Sequence, residues 1–63
     1  MATGYRVHEI SLELSRVTSA PIMSIDVMRF CERMGVNVRS ASSLIEPILA
    51  SVVIDLFLSS WNS

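Results

Sequence analysis

Apolar and polar positions change their period repeatedly along this chain, and each change marks an element. Tyr5 and Val7 alternate with Arg6 and His8, the two-residue period of a short strand over residues 5–8. From His8 or Glu9 the period becomes helical. Val7, Ile10, Leu14 and Val17 share a face while Glu9, Glu13 and Arg16 lie off it, which predicts a first helix of roughly two to three turns. Thr18, Ser19, Ala20 and Pro21 then interrupt, because proline has no amide to donate and disfavours helix at the residue before it. Ser24 suits the N-cap of a second helix, with Asp26 in the first turn, where the helix dipole favours negative charge. Val27, Met28, Cys31 and Met34 form the inward stripe of that helix, and Asp26, Arg29, Glu32 and Arg33 its wet side. Gly35 supplies the left-handed residue that ends a helix, and Val36 the accompanying hydrophobic contact.

Val36, Asn37, Val38 and Arg39 alternate again and predict a second strand over residues 36–39, which Leu44 and Ile45 extend or close after a serine turn. Two short strands must pair, since neither is stable alone. Ser43 and Glu46 fit the capping-box spacing, with Pro47 in the first turn, and predict a third helix over residues 45–60. Its apolar side chains span roughly 240° of the helical wheel, against the arc of little more than 100° that one small core requires. Ile48, Leu49, Val52, Val53 and Leu56 make one face, and Ala50, Ile54, Phe57 and Trp61 another; Ser51, Asp55 and Ser59 are the polar stripe. One face is therefore surplus. Aromatic anchors dominate binding interfaces, which points to Ile54, Phe57, Leu58 and Trp61 as partner-binding residues. The competing reading is that Phe57 and Trp61 complete the domain's own core.

The expected fold is a single small α+β domain over residues 5–61, in the order strand, helix, helix, strand, helix, with two short paired strands packed with three helices. Residues 1–4 are expected to form a flexible tail and residues 62–63 a C-terminal one. The expected core is Val7, Ile10, Leu14, Val27, Met28, Cys31, Met34, Val36, Val38, Leu49, Val52 and Val53.

Composition narrows the chemistry. With one cysteine and one histidine among 63 residues, neither an internal disulfide nor a four-ligand zinc site can be built. A 51% hydrophobic content leaves association as the remaining stabilising device, with a protein partner or a second copy on the last helix. No nucleophile–base arrangement or glycine-rich loop is present, so neither catalysis nor a cofactor is expected. His8 reads as a strand-edge or cap residue, and Cys31 as a buried structural thiol. The first fifteen residues carry Arg6, Glu9 and Glu13 and do not resemble a signal peptide. The longest uncharged run in the last third lies between Glu46 and Asp55, short of the ~20 residues of a membrane span. A cytoplasmic location with no integral membrane segment is expected.

Net charge is −1 and all five basic residues are arginines, a balance that argues against non-specific nucleic-acid binding. A local patch remains open. Arg29 and Arg33 stand one turn apart and Arg39 follows on the predicted strand, with Arg6 joining if the strands pair, which makes these four the candidate RNA-binding residues. The alternative is a solvated face with local pairs such as Asp26 with Arg29 and Arg29 with Glu32. Ser40, Ser42 and Ser43 have two readings as well, an anion site at a helix N-terminus or a helix cap with its turn.

Arg6-Val7-His8-Glu9-Ile10-Ser11-Leu12-Glu13-Leu14, Ser24 through Gly35, and Val38-Arg39-Ser40-Ala41-Ser42-Ser43-Leu44-Ile45-Glu46-Pro47 occur in that order. Together they resemble the N-terminal module of bacterial translation initiation factor 2. That module opens with a similar strand and helix, continues with a capped helix ending before glycine, and closes with a strand and serine turn. Residues 17–23 read as an insertion between the first two helices. The resemblance implies a stand-alone, divergent binding module of bacterial origin that contacts the ribosome or an RNA. It does not extend to the factor's GTPase, since no phosphate-binding loop is present.

Overall fold

The computed structural model describes residues 4–61. Its elements are β1 (Tyr5–Arg6), α1 (Val7–Thr18), α2 (Ser24–Arg33), β2 (Leu44–Ile45) and α3 (Pro47–Trp61). β1 and β2 pair antiparallel, with Tyr5 opposite Ile45 and Arg6 opposite Leu44. The architecture is the expected α+β arrangement of three helices and a two-stranded sheet. The tails expected at residues 1–3 and 62–63 lie outside the described residues. Gly4 sits at φ +146°, where a Cβ would stand 2.5 Å from the Ile45 carbonyl oxygen.

The first helix starts earlier than the alternation predicts, and the strand before it shrinks to two residues. The cause is a polar lock between the α1 N-terminus and the serine turn. The free amides of Val7 and His8 donate to the carbonyls of Ser43 and Ala41 at 3.1 and 3.0 Å, while Glu9 Oε1 accepts from the Arg6 amide at 2.8 Å. Helix N-termini leave such amides unsatisfied, and here the chain itself supplies the acceptors. At its other end α1 stops on Ser19, which takes the left-handed conformation at φ 56°.

The segment between α1 and α2 is tied down by a hydroxyl. Ser15 Oγ accepts from the Ile22 amide at 2.9 Å and lies 3.0 Å from the Ile22 carbonyl, as well as 2.9 Å from that of Ser11. This clamp sets Ile22 into the core, 7% exposed. Met23, not Ser24, is the N-cap of α2, and Asp26 Oδ2 accepts its amide at 2.9 Å. The C-terminus of α2 closes as its glycine predicts. Gly35 sits at φ +82°, its amide bonds Glu32, and the Val36 amide reaches back to Cys31 at 2.8 Å.

Residues 36–39 are not a strand, although Val36 and Val38 pack half-buried against the core. Pairing with β1 falls to Leu44–Ile45, because the serine turn is drawn onto the α1 N-terminus and delivers those two residues to the strand edge. Ser43 does not cap α3 with Glu46. Its hydroxyl accepts from the amides of Arg39 and Ser40 at 3.0 and 3.1 Å, inside the turn. α3 begins at Pro47, where the missing amide costs nothing, and its first bond runs from the Ala50 amide to the Glu46 carbonyl.

The core is Val7, Ile10, Leu14, Ile22, Val27, Cys31, Ile45, Ala50, Val53 and Phe57. Met28, Met34, Val36, Val38 and Leu49, expected inside, are only half-buried, and Val52 is exposed. Val17 also lies outside, 50% exposed. α3 thus turns inward the face that carries Ala50 and Phe57, leaving Ile48, Val52 and Leu56 in water at 80%, 42% and 46% exposure. The wheel of α3 offered two apolar faces of similar extent; the side with the small Ala50 and the large Phe57 allows both close approach and the larger burial.

Candidate functional site

The outer face of α2 and the last turns of α3 border an open groove of about 480 Å³, walled by Ile22, Arg29, Phe30, Arg33, Phe57 and Trp61. α2 places the two arginines there because its inward stripe carries Val27 and Cys31 into the core and turns the i, i+4 pair outward. α3 places the aromatics. Phe57 is anchored inside, its ring edge-to-face with Phe30 at 5.3 Å and 68°. Trp61, one turn on, stacks on Phe57 at 6.2 Å and 14° and remains 49% exposed.

The electrostatics follow from what is not paired. Among the described residues the ion pair Glu13 with Arg16 on α1 stands alone. The expected pairs of Arg29 with Asp26 and with Glu32 are absent, and Asp26 is engaged with the Met23 amide. The Arg29 and Arg33 guanidinium groups therefore have no partner among the described residues. Asp26 also borders the groove, and Glu32 borders a second shallow depression beside the same two arginines.

The four candidate arginines divide into two pairs. Arg29 and Arg33 wall the groove. Arg6 and Arg39 flank the serine turn, where the Arg6 guanidinium donates to the Ser42 carbonyl at 2.7 Å and the Arg39 amide donates to Ser43 Oγ. The serines hold each other rather than a free anion: Ser43 donates its amide to the Ser40 carbonyl, and Ser42 its amide to Ser40 Oγ at 3.2 Å. Of the apolar candidates on α3, Phe57 is core, and Ile54 and Leu58 are half-buried against it. Trp61 shares the groove with the arginines. Phe30, which links groove to core, escaped sequence reasoning; it sits between an inward and an outward residue of α2, and wheel position alone does not assign it.

Cys31 is buried, and desolvation of the thiolate raises its pKa, the opposite of what a reactive thiol needs. Among the described residues no cluster of histidine, cysteine or carboxylate side chains could hold a metal ion. Nor is any described helix long and apolar enough to cross a membrane. Compared with models of known protein families, with curated proteins and with solved structures, the chain matches none.

Proposed function

We propose that this chain is a non-catalytic, cytoplasmic binding module of bacterial translation that contacts ribosomal or other RNA through the groove between α2 and α3. The observation that carries the reading is the meeting of two unpaired guanidinium groups, Arg29 and Arg33, with an exposed indole in one recess. Cationic groups beside stacking surfaces are the recurring means of holding single-stranded nucleic acid. The order of the three motifs that resemble the initiation factor module is the second support for this reading. Arg6 and Arg39 take a lesser part in this reading, as Arg6 is already engaged with Ser42.

The test is retention of RNA from cell extract by the tagged chain at moderate salt. Arg29→Glu with Arg33→Glu is expected to abolish retention while the circular dichroism spectrum stays native. Unchanged retention by the folded double variant would remove the reading.

A second reading, association with a protein or with another copy, is favoured by a separate observation. Ile48, Val52 and Leu56 form an exposed apolar row at i, i+4 and i+8 on α3. Association of this kind uses that row, on the side of α3 away from the partner-binding candidates Trp61, Ile54 and Leu58. Val52→Asp with Leu56→Asp is then expected to yield a monomer in sedimentation. If the unaltered chain is already monomeric at high concentration, self-association is excluded.

A further inference from the structure

We infer that the groove takes one unpaired nucleotide of a single-stranded RNA, its base stacked on Trp61 and its flanking phosphates held by Arg29 and Arg33. This rests on the RNA-binding reading above and gives it a ligand.

Three features of the groove converge on that occupant. First, Phe57 is buried, and the half-buried Phe30 and the exposed Trp61 both pack on its ring. The Trp61 indole is half exposed and stacked on the Phe57 ring behind it. A base laid on Trp61 continues that stack and covers apolar surface that water otherwise meets. Second, Arg29 and Arg33 stand one turn apart on α2, which sets their Cβ atoms about 5–6 Å from each other. Two adjacent backbone phosphates can thus be met by separate guanidinium groups. Their acidic neighbours are Asp26, which borders the groove and accepts the Met23 amide, and Glu32, in the depression that both arginines share; neither forms an ion pair with Arg29 or Arg33. Third, a recess of about 480 Å³ falls within the roughly 300–1,000 Å³ typical of small-ligand sites. That is room for one splayed nucleotide, not for a duplex, whose bases remain stacked on each other.

The reading carries its own selectivity. Single strands bind and duplexes do not. Purines bind more tightly than pyrimidines, because the contribution comes from stacking area rather than from base-edge hydrogen bonds.

Trp61 is the chain's one tryptophan, so its emission reports on its own site. The experiment titrates the full chain with a ten-nucleotide oligo-A RNA, an oligo-U of equal length, a blunt RNA duplex, and a polyglutamate peptide of matched charge. Expected are quenching by oligo-A, weaker quenching by oligo-U, and none by the duplex or the peptide. Two phosphate contacts on a single strand give a slope of log K against log salt of about −1.4. Followed by anisotropy of labelled oligo-A, Trp61→Leu is expected to weaken binding about 5-fold or more. Arg29→Gln with Arg33→Gln should flatten the salt slope.

Oligo-A binding that persists undiminished in Trp61→Leu, or a duplex that binds as well, overturns the stacking inference and leaves RNA binding standing. No binding of any RNA overturns both readings. Polyglutamate binding equal to that of RNA also overturns both and reassigns the groove to an acidic protein. Should Trp61→Leu fail to fold, emission quenching in the native chain and the slope of the Arg29→Gln with Arg33→Gln variant decide the question alone.

Discussion

The serine turn and the α2–α3 groove both carry arginines, and the turn engages the guanidinium of one of them, Arg6, whereas the groove engages neither. At the turn, three successive carbonyls, of Ala41, Ser42 and Ser43, receive the His8 amide, the Arg6 guanidinium and the Val7 amide. The Ser43 hydroxyl takes two more amides. At the groove, Arg29 and Arg33 have no partner among the described residues, and half of Trp61 faces water. Polar groups at the turn are consumed in building the fold. At the groove, the Arg29 and Arg33 guanidinium groups make no bond in the fold, and that supports the groove over the turn as the place proposed for a ligand.

The comparison breaks first at Phe57, which belongs to the groove and to the core at once. Phe57→Ala is expected to cost about 3–5 kcal/mol, which is all that a core of this size usually supplies, so the variant should be unfolded. Val52→Ala, on the opposite face of α3, should change stability by about 0.5 kcal/mol or less. Urea denaturation followed by circular dichroism separates the two; equal losses would mean that α3 is turned the other way.

Next in size is the contrast between the turn and the groove walls. Ser43→Ala removes the acceptor of two amides and should destabilise by about 1–2 kcal/mol. Arg29→Ala and Arg33→Ala should each cost about 0.5 kcal/mol or less, since neither makes a bond in the fold. Comparable costs at all three positions would erase the distinction between structural and idle polar groups.

A smaller effect of opposite sign is expected at Ser19, whose left-handed backbone is strained for a residue with a Cβ. Ser19→Gly relieves that strain at the expense of some chain entropy, for a net gain of about 0.5–1 kcal/mol in the same denaturation assay.

The last effect concerns the inner face of α2, behind the arginines. Burial raises the Cys31 pKa, so the folded chain keeps its proton at pH values where the unfolded chain has lost it. Stability is therefore fully present below the unfolded thiol's pKa, about 8.5, and falls as pH rises through the higher folded value. Alkylation of Cys31 should be slow in the native protein and fast in urea. Rapid native alkylation would place the thiol outside.

Much of the fold was legible because it is written in local polar chemistry. Pro21 and Gly35 punctuate the helices, and Asp26 stands in the first turn of α2, although the captures of the Met23 amide by Asp26 and of the Arg6 amide by Glu9 were not read. The wet side of α2 was legible too, since Asp26, Arg29, Glu32 and Arg33 are all exposed. The rest of what escaped depends on contacts distant in sequence. Val36 and Val38 alternate like a strand, yet the pairing partner of Tyr5 is Ile45, because Val7 and His8 recruit the serine turn. α3 could not announce its inner face, since a helix apolar on two sides has no preferred side until Phe30 meets Phe57. For the same reason the sequence presented arginines and aromatics as rival sites, whereas the packing of α3 on α2 joins Arg29, Arg33, Phe57 and Trp61 in one groove.

The most direct test of that groove is residue-resolved NMR of the intact chain during titration with single-stranded RNA. The account predicts perturbed signals at Asp26, Arg29, Phe30, Arg33 and the Trp61 indole, with residues 39–43 unmoved. Perturbations centred on Arg6, Arg39 and the serine turn, or none anywhere, would contradict it.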